Sequence, residues 1–133
     1  MSNPAYQKKS PDAPVYEGPR VAEEFPLGGY SFVDQMKILT ILDAMDWPQL
    51  VIFRYGDSDR VVAPFAVGVS SEGNPLMRGY QLEGNSRSGK GEGWRVFQIR
   101  KMGEVMNHQD FFNKDDFDFQ EFYPWIYKVY KML

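Results

Sequence analysis

The stretch Leu50–Ser70, LVIFRYGDSDRVVAPFAVGVS, decides the fold. Before it the apolar residues recur with a helical period. From Leu50 the period drops to two, and the residues become β-branched and aromatic, which suits a pleated, half-buried strand. Gly56-Asp57-Ser58-Asp59 supplies turn chemistry. Two strands therefore meet here, LVIFRYG and RVVAPFAVGVS. Pro64 in the second has no amide to donate, so it marks an edge or a bulge.

Reading C-terminally, SEGNP turns the chain into a third strand, LMRGYQLE. The glycine-rich span GNSRSGKGEG is a loop, GWRVFQIRK a fourth strand, and Met102–Met106 a short fifth. The aromatic tail is expected to end in a helix starting near Pro124, a residue tolerated in a first helical turn.

Reading N-terminally, SFVDQMKILTILDAMDW is the one clear helix. Ser31 stands at its N-cap and Pro48 stops it. Met36, Leu39, Thr40, Ala44 and Trp47 form its apolar stripe, widened by Ile38, Ile41, Leu42 and Met45. Residues 1–29 carry five of the nine prolines and read as an extended arm, pinned by Tyr6, Val15, Tyr16 and Phe25. The expected architecture is α+β: one helix, then a small antiparallel barrel or half-barrel, then an aromatic C-terminal helix.

Composition narrows the function. At 133 residues the chain is most simply one domain, residues 30–133 after the arm. It has no cysteine, which excludes disulfides, thiolate metal sites and a cysteine nucleophile. There is a single histidine, His108, and no serine in a nucleophile elbow. No enzyme, cofactor or metal is expected. The carboxylates Asp110, Asp115, Asp116 and Asp118 read as a solvated face rather than a cation site. No apolar run could span a bilayer or act as a secretion signal, so a cytoplasmic protein with no membrane partner is expected.

The net charge is −3, but it is unevenly spread. Between Arg78 and Lys101 lie Arg78, Arg87, Lys90, Arg95, Arg100 and Lys101 against only Glu83 and Glu92. After Glu104 acids dominate. Gly84–Lys90 matches the first positions of a phosphate-cradling loop. Gly91 stands where that loop needs Ser or Thr, and a strand follows where it needs a helix, which argues against an ATPase.

The order of motifs resembles the WYL domain. It comprises Ala44 on the helix, IFRY ending at Tyr55, Arg60-Val61-Val62-Ala63-Pro64, Gly73, Tyr80, and Arg95-Val96-Phe97 with Lys101. The match covers roughly residues 36–106. It departs from the family where Pro75-Leu76-Met77 replaces the naming tripeptide, where Lys101 replaces an arginine, and where no helix-turn-helix accompanies it. The resemblance implies an SH3-like or Sm-like β-barrel that senses a ligand, a nucleotide or single-stranded nucleic acid. Arg60, Arg78, Tyr80, Arg95, Phe97 and Lys101 are the ligand-binding candidates it suggests. Strand alternation would let Tyr80 and Phe97 stack on a base beside Arg78 and Arg95; the alternative reading is that both rings are core and the arginines pair with the acidic tail. The rival signal is the tail. Phe111, Phe112, Phe117, Phe119, Phe122, Tyr123, Trp125, Tyr127 and Tyr130 are enough aromatics to form a protein-partner or homodimer surface.

Overall fold

The computed structural model describes residues 24–84, 91–118 and 126–133. A short 3-10 turn at Leu27–Gly29 precedes helix α1, Phe32–Asp46. The strands follow as β1 (Gln49–Tyr55), β2 (Ser58–Val69), β3 (Pro75–Glu83), β4 (Gly93–Gln98), β5 (Met106–Phe111) and β6 (Lys128–Met132). Further 3-10 turns lie at Ile99–Lys101 and Lys114–Asp116. The architecture is α+β, with one helix on an open, antiparallel, six-stranded sheet among the described residues. No helix among these residues is long and apolar enough to cross a membrane.

The strand order is β4-β3-β2-β1-β5, and β6 adds to β2. The long strand β2 makes this possible. Its first half pairs with β1, from Ser58 opposite Tyr55 to Val62 opposite Val51. Its second half pairs on that same edge with β6, from Ala66 opposite Met132 to Val69 opposite Lys128. The register with β3 slips between Pro64 and Ala66, so the proline coincides with a bulge, the placement its missing amide favours.

The C-terminal helix expected from the sequence is a strand instead, β6. Five residues are too few to hold an isolated helix, whereas Lys128–Met132 gains a ladder and buries Val129. Gly68 provides the slot, since a Cβ there would lie 2.1 Å from the Lys128 carbonyl oxygen. Pro124 and the aromatics Phe119, Phe122, Tyr123 and Trp125 lie outside the described residues. The fifth strand also begins later than expected, at Met106.

The pleat divides the core. Toward α1 point Val51, Phe53, Val62, Val67, Met77 and Phe97, meeting Ile38, Ile41, Ala44 and Met45 from the helix and Phe25 from the arm. Residues 1–23 of the arm, with Tyr6, Val15 and Tyr16, lie outside the described residues. The opposite side is largely aromatic. Phe65 packs there against Trp94 at 4.9 Å, Phe117 at 5.4 Å and Phe112 at 5.6 Å between ring centroids. Farther along, Ile126 and Val129 cover Ala66 and Leu76.

Ser31 does cap α1, its Oγ accepting from the Asp34 amide at 3.1 Å. The apolar stripe is turned, however. Met36, Leu39 and Trp47 face solvent, while Ile38, Ile41, Ala44 and Met45 face the sheet. The helix is apolar on two opposite sides, so periodicity alone could not orient it.

Candidate functional site

β1 and β2 are joined through the tight turn at Gly56-Asp57, where Gly56 has φ 66°. The register opposite Phe53 then sends Arg60 to the α1 side of the sheet. Only 8% of Arg60 is exposed, and its guanidinium is held from three directions. Nε donates to Ser58 Oγ at 2.9 Å, Nη1 to Gln81 Oε1 at 3.0 Å, and Nη2 to the Tyr55 carbonyl at 3.0 Å. The guanidinium also lies 5.5 Å from the Tyr55 ring centroid. Gln81, fully buried, passes the connection on by donating to the carbonyl of Gly91. One polar chain therefore ties the β1–β2 turn to the residues that open β4.

Backbone approaches Arg60 closely here. Gly84 has φ 128°, and a Cβ on it would stand 2.6 Å from Arg60 Cδ, so only glycine fits. Arg95 lies opposite Gly79 on β4 and therefore on the same side of the sheet as Gln81. It donates from Nη1 to the Trp94 carbonyl at 3.0 Å. The two arginines are close enough to repel. The Arg60 pKa is lowered first by burial, against the pull of Asp57, and lowered further by the Arg95 charge, with Tyr55 opposing. Two half-buried to buried cations beside one exposed carboxylate form a positive, partly desolvated spot suited to an anion.

The six residues suggested by the sequence divide between two faces. Arg60 and Arg95 come together. Lys101 is exposed on the 3-10 turn, beside Met102, whose bridge to Tyr55 brings that turn to the end of β1. The alternation expected to carry Lys101 along the Arg95 face ends at Gln98, where the strand stops. Phe97 shares the Arg95 face but is only 1% exposed. Its ring meets Phe53 at 5.1 Å and Tyr55 at 5.0 Å, both edge-on, so it is floor rather than a stacking platform.

Arg78 and Tyr80 lie on the other face, because they pair with Val96 and Trp94. Arg78 is 7% exposed, with its guanidinium 4.9 Å from the Trp94 ring. Tyr80 packs edge-on against Trp94 at 5.4 Å and meets Phe117 at 5.1 Å. A shared platform of Tyr80 and Phe97 is not formed, since direct register partners occupy one face and Phe97 pairs with Met77.

Gln81 and Tyr55 complete the arginine site and were not among the candidates. Gln81 had a signal, as a polar residue two positions from Gly79 on a strand side that also carries Met77. Arg87 and Lys90 lie outside the described residues. Among the described residues no cluster of three or more His, Asp or Glu is placed to hold a metal. His108 Nδ1 instead accepts from the Asp110 amide at 3.0 Å.

No family model, no curated protein and no solved structure matches the chain.

Proposed function

We propose that this chain is a WYL-like, non-enzymatic regulatory or accessory module that binds the phosphate of a nucleotide or of single-stranded nucleic acid. The proposed site is the Arg60–Arg95 pair, with Lys101 at its edge. The observation that carries this reading is the placement of Arg95 on the same sheet face as the buried Arg60, whose pKa is lowered first by burial and then further by the Arg95 charge. A bound phosphate would relieve both penalties and accept from planar guanidinium donors. Arg60 is a positioning residue here, since its guanidinium donates to Ser58, Gln81 and the Tyr55 carbonyl. Arg95, half-buried, is the group that meets the ligand. Support for the barrel in this reading comes from two features, the division of β2 between β1 and β6 and the bridge from Tyr55 to Met102.

The test is titration of fluorescently labelled single-stranded DNA and RNA oligomers at about 50 mM and about 200 mM salt. Binding that weakens with salt, and weakens about tenfold or more in Arg95→Ala, is expected for a lost charge-assisted contact. No binding at the lower salt, or binding indifferent to Arg95→Ala, contradicts the assignment.

A further inference from the structure

Helix α1 has a second apolar side. At about 100° per residue, Phe32, Met36, Leu39 and Trp47 line one arc with Val33 at its margin, opposite the arc of Ile38, Ile41, Ala44 and Met45 that meets the sheet. These outer residues are uncovered among the described residues: Phe32 is 73% exposed, Val33 62% and Trp47 63%, with Met36 and Leu39 also exposed. The strip continues onto the edge strand β5, where exposed Phe111 meets Trp47 edge-on at 6.4 Å. Three aromatic rings, each worth roughly 150–250 Å² when fully buried and exposed over 59–73% of it, together with the exposed parts of Val33, Met36 and Leu39 come to the same order as the roughly 800 Å² that one partner gives to a standard interface. That exceeds the few hundred Å² a soluble monomer ordinarily leaves as one apolar patch.

We propose that this strip is covered by a second copy of the chain, the two α1 helices packing antiparallel about a two-fold axis between Leu39 and Thr40. The strip is self-complementary at its ends and centre in that arrangement, with Asp43 a charge inside it. Phe32 of one copy falls opposite Trp47 of the other, and Met36 opposite Asp43. The two Asp43 carboxylates, the charges nearest the middle of the arc, are then about 10 Å apart along the helix. Asp46, at the margin, is already engaged by Lys131 of its own chain. An isologous contact of this kind closes at two copies. The described tail aromatics Phe112 and Phe117 pack on their own sheet, which leaves α1 as the broader apolar surface.

Sedimentation equilibrium of the full chain over rising concentration tests the proposal. The expected mass is twice the 15.4 kDa of one chain, falling to one chain in Leu39→Lys with an unchanged circular dichroism spectrum. Tyr127→Ser, at an exposed tail residue, should leave the dimer intact. A full chain that stays monomeric up to millimolar concentration overturns the proposal. So does a Leu39→Lys protein that still dimerises. A monomer that pairs only after deletion of residues 1–23 also overturns it, and gives the strip to the arm instead.

Discussion

The two sides of the sheet each bury an arginine against an aromatic ring, yet they do so to different ends. On the tail side Arg78 lies over Trp94 within a set of rings, Phe65, Tyr80 and Phe117, contributed by three separate parts of the chain. On the α1 side the helix packs mainly on β1, β2, β5 and the Ile99–Lys101 turn, leaving the start of the β3–β4 pair beyond it. There Arg60 is fixed by three hydrogen bonds besides its contact with the Tyr55 ring, and its pKa is lowered first by burial and then further by the charge of a second arginine, Arg95. A cation inside an aromatic cluster is satisfied by packing. Two cations held on one face, one of them buried, concentrate positive charge instead, and that difference separates a core from a candidate site.

The largest expected effects test whether the aromatic floors on both sides are core. Phe97→Ala and Phe65→Ala should each cost about 3–5 kcal/mol in urea unfolding, because each removes a fully buried ring. If Phe97 were a stacking surface its loss would leave stability nearly unchanged, and the comparison would fail on the α1 side. Next come the arginines. Arg60→Ala strands Gln81 Oε1 and the Tyr55 carbonyl, and should cost about 1–3 kcal/mol. Arg78→Ala loses a cation–π contact and should cost about 1–2 kcal/mol. A loss well under about 1 kcal/mol in Arg60→Ala would contradict the hydrogen-bonding role given to its guanidinium.

The smallest effect lies on the α1 side, near the arm. The Tyr30 hydroxyl donates to the Gly73 carbonyl at 2.7 Å, and burial raises its pKa above the usual 10.0, with Arg100 opposing and Tyr130 adding to the rise. The folded chain thus holds this proton more tightly than the unfolded chain. Its contribution is complete below about pH 10 and declines as pH rises through the folded value. Melting temperatures measured from pH 8 to 11 should fall more steeply for the wild type than for Tyr30→Phe at the alkaline end; parallel curves would contradict this.

Much of the sheet was legible because the period of two, the Gly56-Asp57 turn and Pro64 are local signals, and the structure keeps each of them. The C-terminal strand was not, since Lys128–Met132 becomes extended only by finding Gly68 on β2, some sixty residues earlier in the chain. The orientation of α1 was hidden for a different reason, its two apolar arcs being indistinguishable until the sheet chooses one. At the site, alternation correctly placed Arg95 with Phe97 and Arg78 with Tyr80. It could not say that register would put these pairs back to back, because register depends on where the loop between β3 and β4 returns the chain.

The proposed phosphate site is the Arg60–Arg95 spot, and not the Arg78 face. Calorimetric titration of adenosine monophosphate and of adenosine into the wild type, Arg95→Ala and Arg78→Ala tests it most directly. The expected result is binding by the wild type that requires the phosphate, is lost in Arg95→Ala and persists in Arg78→Ala. Binding that survives Arg95→Ala and disappears in Arg78→Ala, or adenosine binding as tightly as its monophosphate, would contradict it.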